Sequence, residues 1–306
     1  MVALLFPGQG SQSVGMGRDL AERFAAARAT FDEADAVLGV ALSRLMWQGP
    51  EEELTATRNA QPAILTHSVA VLRLVREHLG DVKYAAGHSL GEFSAYAAAG
   101  ALSFAEALRA VRRRGELMYE AGQARPGTMA AVLGLDDEVV ERLCREASGA
   151  EGVVVPANFN SPAQVVISGD VQAVQRALEL ARAAGARRTL PLNVSGAFHS
   201  PLMEVAEGGL RQQLEGVTVR QPAFPVISNV TAQPVSDPDD VRALIVRQLT
   251  SPVRWTASMR ALVDAGVDRF LELGPGSVLS GLLKRVSRDV SAQTIGTAAE
   301  VEALLA

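Results

Sequence analysis

Gly87-His88-Ser89-Leu90-Gly91 is a G-x-S-x-G pentapeptide. In that pattern a serine can stand on a sharp strand-to-helix turn with its hydroxyl presented for nucleophilic attack. Gly87 and Gly91 lie two residues to either side, with no Cβ to clash in such a turn. The same letters admit a second reading, in which Ser89 is only a helix N-cap and Glu92 occupies the capping-box position. These residues alone do not separate the two. A serine hydroxyl attacks only when a base takes its proton, and the chain has four histidines. His67 shares a helix face with Ile64 and Val71 and reads as a partly buried packing residue. His78 falls in the last turn of the same helix, where the dipole favours a solvated histidine. His88 adjoins the serine, and neighbours on a sharp turn point apart, so it lines the site. His199, in the irregular segment "NVSGAFHSPLM", is left as the base.

The third member of a hydrolase triad is missing. Asp136, Asp137 and Asp170 read as helix-start residues, and none stands near His199 in sequence. Either the fold delivers an acid, or a carbonyl orients the imidazole, since the orienting role is one of tautomer and direction. Candidate oxyanion donors are the backbone N–H of Leu90 and one from "FPGQGSQ", where Gly8 and Gly10 flank Gln9 and allow close approach. That loop could equally be a plain strand-to-helix turn; it has neither the P-loop lysine nor G-x-G-x-x-G spacing. A similar loop, "LELGPGSVLS", carries no chemistry that its residues identify. In the run Arg112-Arg113-Arg114, Arg113 aligns with Arg109, Glu116 and Glu120 on a solvated face. Arg114 lies between Val111 and Met118 on the apolar stripe, where an unpaired charge is very costly. It must meet an internal carboxylate or grip a substrate carboxylate. Serine, histidine and an anion-holding arginine together fit acyl transfer from a substrate with a free carboxylate.

The elements that must position these groups read as an α/β chain. Val2–Phe6 is a continuous apolar run suited to a buried parallel strand. Helices are expected over Met16–Thr30 and "QPAILTHSVAVLRLVREHLG", the latter with Pro62 in its first turn. A strand near Val82–Ala86 leads into the serine motif, and a helix follows from about Leu90 to Ala99. Ser103 and Glu106 form a capping box for the next helix. Residues 128–192 then read β-α-β-β-α-β, the ferredoxin-like unit. The expected fold is therefore a large α/β subdomain (1–127 and 193–306) with an inserted small subdomain (128–192). The large part resumes with the strand "FPVISNV", helices around 238–249 and 255–264, the strand "DRFLELG" and a closing helix from Ser277.

Composition narrows the class. The 306 residues are 48% hydrophobic, which excludes wholesale disorder. A net charge of −5 gives no global signal for nucleic acid. The apolar runs are short and interrupted, so none reads as a membrane span. One cysteine excludes an intrachain disulfide framework. A cytoplasmic protein is expected.

The ordered set "FPGQGSQ", "GHSLGE", "RRRGELM", "NFNSPAQVVISG", "GAFHSP", "QLTSPVRW" and "ELGPG" resembles the malonyl-CoA:acyl carrier protein transacylases across essentially the whole chain. The resemblance implies a hydrolase-like large α/β subdomain with a short parallel sheet and a ferredoxin-like insert, and it implies that Ser89 takes a malonyl group from coenzyme A as an ester, which the phosphopantetheine thiol of holo-acyl carrier protein then accepts. It implies His199 as base and then acid, Arg114 on the malonyl carboxylate, and Gln9 and Leu90 backbone groups as the oxyanion hole. Gln248 matches the family position whose main-chain carbonyl orients the histidine, which makes the site a Ser–His dyad. His88 would line the pocket. Phe198, before the histidine, matches the malonyl-selective type. No cofactor and no metal are implied, and the expected form is a monomer. Rival readings are a discrete acyltransferase serving a polyketide synthase, a thioesterase, and a non-catalytic carrier-binding scaffold.

Overall fold

A computed structural model describes residues 1–306. In chain order its strands are β1 (Val2–Phe6), β2 (Val82–Gly87), β3 (Gly127–Leu133), β4 (Val154–Ser161), β5 (Gln164–Asp170), β6 (Arg188–Pro191), β7 (Val226–Ile227), β8 (Pro234–Val235), β9 (Arg269–Leu273) and β10 (Ser291–Ile295). They form a six-stranded sheet, β10-β9-β1-β2-β7-β8, and a four-stranded sheet, β4-β5-β3-β6. The first is parallel except for β8, which returns from β7 as a hairpin. Side chains alternate across it as strand geometry requires. Val2, Leu4 and Phe6 join one core cluster with the helices Thr57–Val75, Gly91–Ala98 and Phe104–Ala124. Ala3 and Leu5 join another with Trp255, Met259 and Leu282. The chain leaves β1 toward β2 on one side, and β9 returns on the other. The topological switch point thus falls between β1 and β9, and the loops after β1 and β2 lie side by side next to it at the carboxyl ends of the strands, the edge where open α/β sheets place their sites.

The four-stranded sheet is antiparallel throughout, with helices Asp137–Ala147 and Val171–Ala183 packed on it, which is the ferredoxin-like arrangement. Its edge strand β4 is tied to the larger part by backbone bonds. Val253 N–H donates to Ala157 O at 2.8 Å and Phe159 N–H to Val253 O at 2.9 Å. The segment "QLTSPVRW" is thus stitched to the small sheet at its middle.

Four expectations need correction. The helix expected over Met16–Thr30 is two, Arg18–Arg23 and Ala25–Leu38, because Phe24 is extended (φ −125°, ψ 120°) and re-aims the chain so that Ala27, Phe31 and Ala34 reach the core. The helix with Pro62 begins four residues earlier than expected, at Thr57. A proline inside a helix leaves the carbonyl four residues back without its donor; here that carbonyl, Arg58 O, accepts from Arg112 Nη1 at 3.1 Å. The strand "FPVISNV" is only two residues long, since Asn229 leaves the ladder for the serine turn. Beyond the helix Val278–Val286 lie β10 and a last helix, Ala298–Leu305. β10 is a half-exposed edge strand and so lacks an apolar run.

The helix Phe104–Ala124 begins at the expected capping box, with Ser103 Oγ accepting from Glu106 N–H and the Glu106 carboxylate accepting from Ser103 N–H. It presses on the start of helix Thr57–Val75 at Gly115, where a Cβ would stand 2.8 Å from Arg58 Cα and from Thr57 O. Alanine in a helix interior ordinarily stabilises by about 1 kcal/mol relative to glycine. At Gly115 overpacking reverses the sign. Gly115→Ala is expected to lower stability by about 1–3 kcal/mol, read as a lower midpoint in urea unfolding.

Candidate active site

Ser89 stands between β2 and helix Gly91–Ala98 with φ of +52°. A Cβ on Gly87 would lie 1.9 Å from Gly91 C, and one on Gly91 would lie 2.2 Å from Phe6 O. No other residue type can pass through this turn. The left-handed backbone of Ser89 costs about 1–3 kcal/mol in isolation, and Asn229 holds it. Asn229 Oδ1 accepts from Ser89 N–H at 2.7 Å, and its Nδ2 donates to Gly87 O at 2.7 Å. The N-cap reading fails on two counts. The Ser89 hydroxyl makes no cap bond to the helix, and the Glu92 carboxylate turns inward to Asn229 N–H and Gln248 Nε2.

His199, also left-handed at φ +56°, brings Nε2 to 2.8 Å from Ser89 Oγ. Its Nδ1 lies 2.9 Å from Gln248 O and 3.2 Å from Ser251 O. Carbonyls only accept, so Nδ1 carries the hydrogen and Nε2 offers its lone pair to the serine O–H. No carboxylate contacts the ring. Of the two orienters left open by the sequence, backbone carbonyls occupy the position. Both come from the segment stitched to β4, so the small sheet helps aim the imidazole. Burial, and then the Arg114 charge, lower the His199 pKa to about 3.

Arg114 is 1% exposed and makes no ion pair at contact distance. Its Nη1 donates to Gln61 Oε1 at 2.6 Å; its Nη2 donates to Gln248 Oε1 at 2.9 Å and to Ser89 Oγ at 3.0 Å. Nε is buried without a partner. Gln61 continues the network, donating to Thr57 Oγ1, which donates to Gln9 Oε1. The backbone N–H groups of Gln9 and Leu90 donate to no protein acceptor. A cavity of about 300 Å³ joins these groups, walled on its apolar side by Met118, Met129, Leu192 and Phe198. His88 lines the same cavity. Its Nε2 is 2.8 Å from Asn160 Oδ1, its ring is tilted on Trp255, and burial lowers its pKa.

All eight residues singled out in the sequence thus meet at one cavity or directly behind it. The other two histidines lie apart, His78 exposed and His67 fully buried rather than partly so. The sequence reading did not single out Asn229, Gln61, Asn160 or Ser251. Asn229 had a usable signal, a polar residue at the end of an apolar strand. Gln61 had a weaker one, a lone amide among apolar helix positions.

The acyl transferase domain family is matched over residues 3–302. The malonyl CoA-acyl carrier protein transacylase of Bacillus subtilis (strain 168) is 48% identical over 287 residues, 94% of this chain and 90% of that protein. An acyl carrier protein S-malonyltransferase from Vibrio cholerae superposes with a TM-score of 0.95 at 43% identity, each chain covered to 99%. A malonyl-transacylase solved in complex with a type II polyketide synthase acyl carrier protein also superposes at 0.95, with 45% identity and 99% and 98% coverage.

With a His199 pKa of about 3, the ring is neutral throughout the ordinary pH range. Reaction of Ser89 with an uncharged activated ester should therefore keep its rate from about pH 8 down to about pH 5, with no limb near the usual histidine value of about 6.5. A stopped-flow pH profile checks this; a limb near 6.5 that persists in Glu92→Gln would mean a solvated imidazole.

Proposed function

The chain belongs to the acyl transferase family, among its malonyl-CoA:acyl carrier protein transacylases, and from that premise we propose how its residues carry the transfer. The reaction moves a malonyl group from coenzyme A to the phosphopantetheine thiol of holo-acyl carrier protein, supplying extender units for fatty-acid synthesis. His199 Nε2 takes the Ser89 proton as Oγ attacks the thioester carbonyl. The oxyanion forms against the free N–H groups of Gln9 and Leu90, where preorganised donors act in a site sheltered from water. The C–S bond breaks, His199 returns the proton to the departing coenzyme A sulfur, and a malonyl-Ser89 ester remains. The carrier thiol then attacks that ester. His199 takes the thiol proton and gives it to Ser89 Oγ as the ester bond breaks.

The observation that carries this reading is Arg114 Nη2 at 3.0 Å from Ser89 Oγ. A buried cation beside the nucleophile suits an acyl group that brings its own carboxylate; simple thioester hydrolysis has no use for it. Phe198, buried against the cavity, is assigned the restriction of the acyl α-carbon to the malonyl type. For the carrier, the surface of matching charge is the cluster Arg187, Lys284, Arg285 and Arg288. All four are exposed and none forms an ion pair, in a chain whose net charge is −5. The cluster flanks the β4–β5 turn, two residues beyond the Asn160 that holds His88, and so it can present an acidic carrier near the cavity.

Incubation with malonyl-CoA should place a malonyl group on Ser89, visible by intact-protein mass spectrometry and discharged faster by holo-carrier protein than by water. An unmodified serine would sink the mechanism. Arg114→Ala should cut malonyl transfer by roughly 100-fold or more while sparing acetyl transfer by comparison. Equal losses would make Arg114 structural. Charge reversal by Arg285→Glu with Arg288→Glu should raise the KM for carrier protein and leave acylation by malonyl-CoA unchanged, in a steady-state assay run at low salt.

A further inference from the structure

Glu92 is a carboxyl with no exposed surface, one turn past Ser89. Its Oε2 accepts from Gln248 Nε2 at 2.5 Å and from Asn229 N–H at 3.2 Å. Gln248 Oε1 in turn accepts from Arg114 Nη2. One amide therefore lies between a buried carboxyl and a buried guanidinium, its N–H toward the acid and its carbonyl toward the cation. Every direct partner of Arg114 is neutral, and Glu92 is the one charged group acting on it. The charged and titratable groups that face Glu92 are Arg114, from helix Phe104–Ala124, and Tyr96, from its own helix. Glu92 Oε1 and Tyr96 Oη are both buried, face each other and have no other partner. A proton on Oε1 can therefore be donated to the Tyr96 hydroxyl oxygen.

Resting on the malonyl reading above, we infer that Glu92 is the counter-charge of Arg114 while the cavity is empty, and that it takes up a proton when the substrate carboxylate arrives. A buried guanidinium needs compensation, and in the empty site Glu92 supplies it across the Gln248 amide. Once a malonyl carboxylate sits on Arg114, two carboxylates share one cation, and like charges in one buried site raise the pKa of the less favourably held group. That group is Glu92, which reaches Arg114 only through an amide, whereas the substrate meets the guanidinium directly. The balance is simple: a proton from solvent joins the Glu92 carboxylate, and the net charge of the buried cluster stays the same. Burial already places the Glu92 pKa at about 7 in the empty site, so the proton is available near neutrality.

The test is isothermal titration of Ser89→Ala, which binds without being acylated, with malonyl-CoA and propionyl-CoA in buffers of different ionisation enthalpy. Malonyl-CoA should take up more protons than propionyl-CoA, by up to about one per site above pH 7 and by less at pH 6. The malonyl-over-propionyl affinity ratio should fall as pH rises above 7, by at most about tenfold per pH unit. In Ser89→Ala carrying Glu92→Gln both effects should vanish. Tighter malonyl binding with no extra proton overturns the role of Glu92 and leaves the substrate reading intact. Equal affinity for the two thioesters overturns both. An extra proton that survives Glu92→Gln belongs to another group and overturns the inference. Should the Glu92→Gln protein fail to fold, Glu92→Asp takes its place and should move the pH range over which the extra proton is taken up; an unchanged range overturns the inference.

Discussion

The structure is organised around a guanidinium removed from water with no acid touching it. Arg114 is held by Gln61, Gln248 and Ser89, contributed by three separate parts of the chain. For those neutral oxygens to replace hydration, the helix that carries Arg114 must approach helix Thr57–Val75 more closely than most side chains allow. Gly115 permits that approach. Arg112, one residue on from Val111 on the flank of the same helix, supplies the donor that Pro62 withholds from Arg58 O. The crossing of these two helices and the solvation of Arg114 are one arrangement, and the position of Gln9 follows from it through Thr57 and Gln61.

A second constraint is backbone strain held from several sides. Ser89 and His199 both adopt left-handed conformations that an L-residue avoids unless its surroundings impose them. At Ser89 the imposition comes from the glycines of the turn and from both ends of the Asn229 amide. At His199 it comes from the carbonyls of Gln248 and Ser251, in a segment that Val253 fastens to β4. The small sheet therefore does more than wall the cavity. It anchors the peptide that sets the imidazole tautomer, and so links the inserted unit to the proton-transfer geometry.

Much of this was legible because it rests on local rules. The continuous apolar run of Val2–Phe6, the capping box at Ser103 and the β-α-β-β-α-β order each follow from neighbours in sequence. Arg114 was conspicuous because helical periodicity put a charge on an apolar stripe. What stayed hidden depends on partners distant along the chain. Pro62 looked like a helix start because its rescue comes from Arg112, fifty residues away. The break at Phe24 serves the packing of Phe31 and has no glycine or proline to announce it. Asn229 looked like an ordinary residue near the end of a strand, since its amide matters only once β7 lies beside β2. Glu92 looked like half of a capping box, and its inward turn follows from Arg114, Gln248 and Asn229 meeting behind it.

The absence of an acid beside His199 follows from the same electrostatics. A carboxylate at Nδ1 would add a further buried charge to a site that already holds Arg114 and Glu92, where burial strengthens every charge interaction. Backbone carbonyls fix the tautomer without carrying a charge, so they orient the ring and leave Arg114 open. The consequence is a weak base in the empty site, since burial and the arginine both oppose a proton on the imidazole.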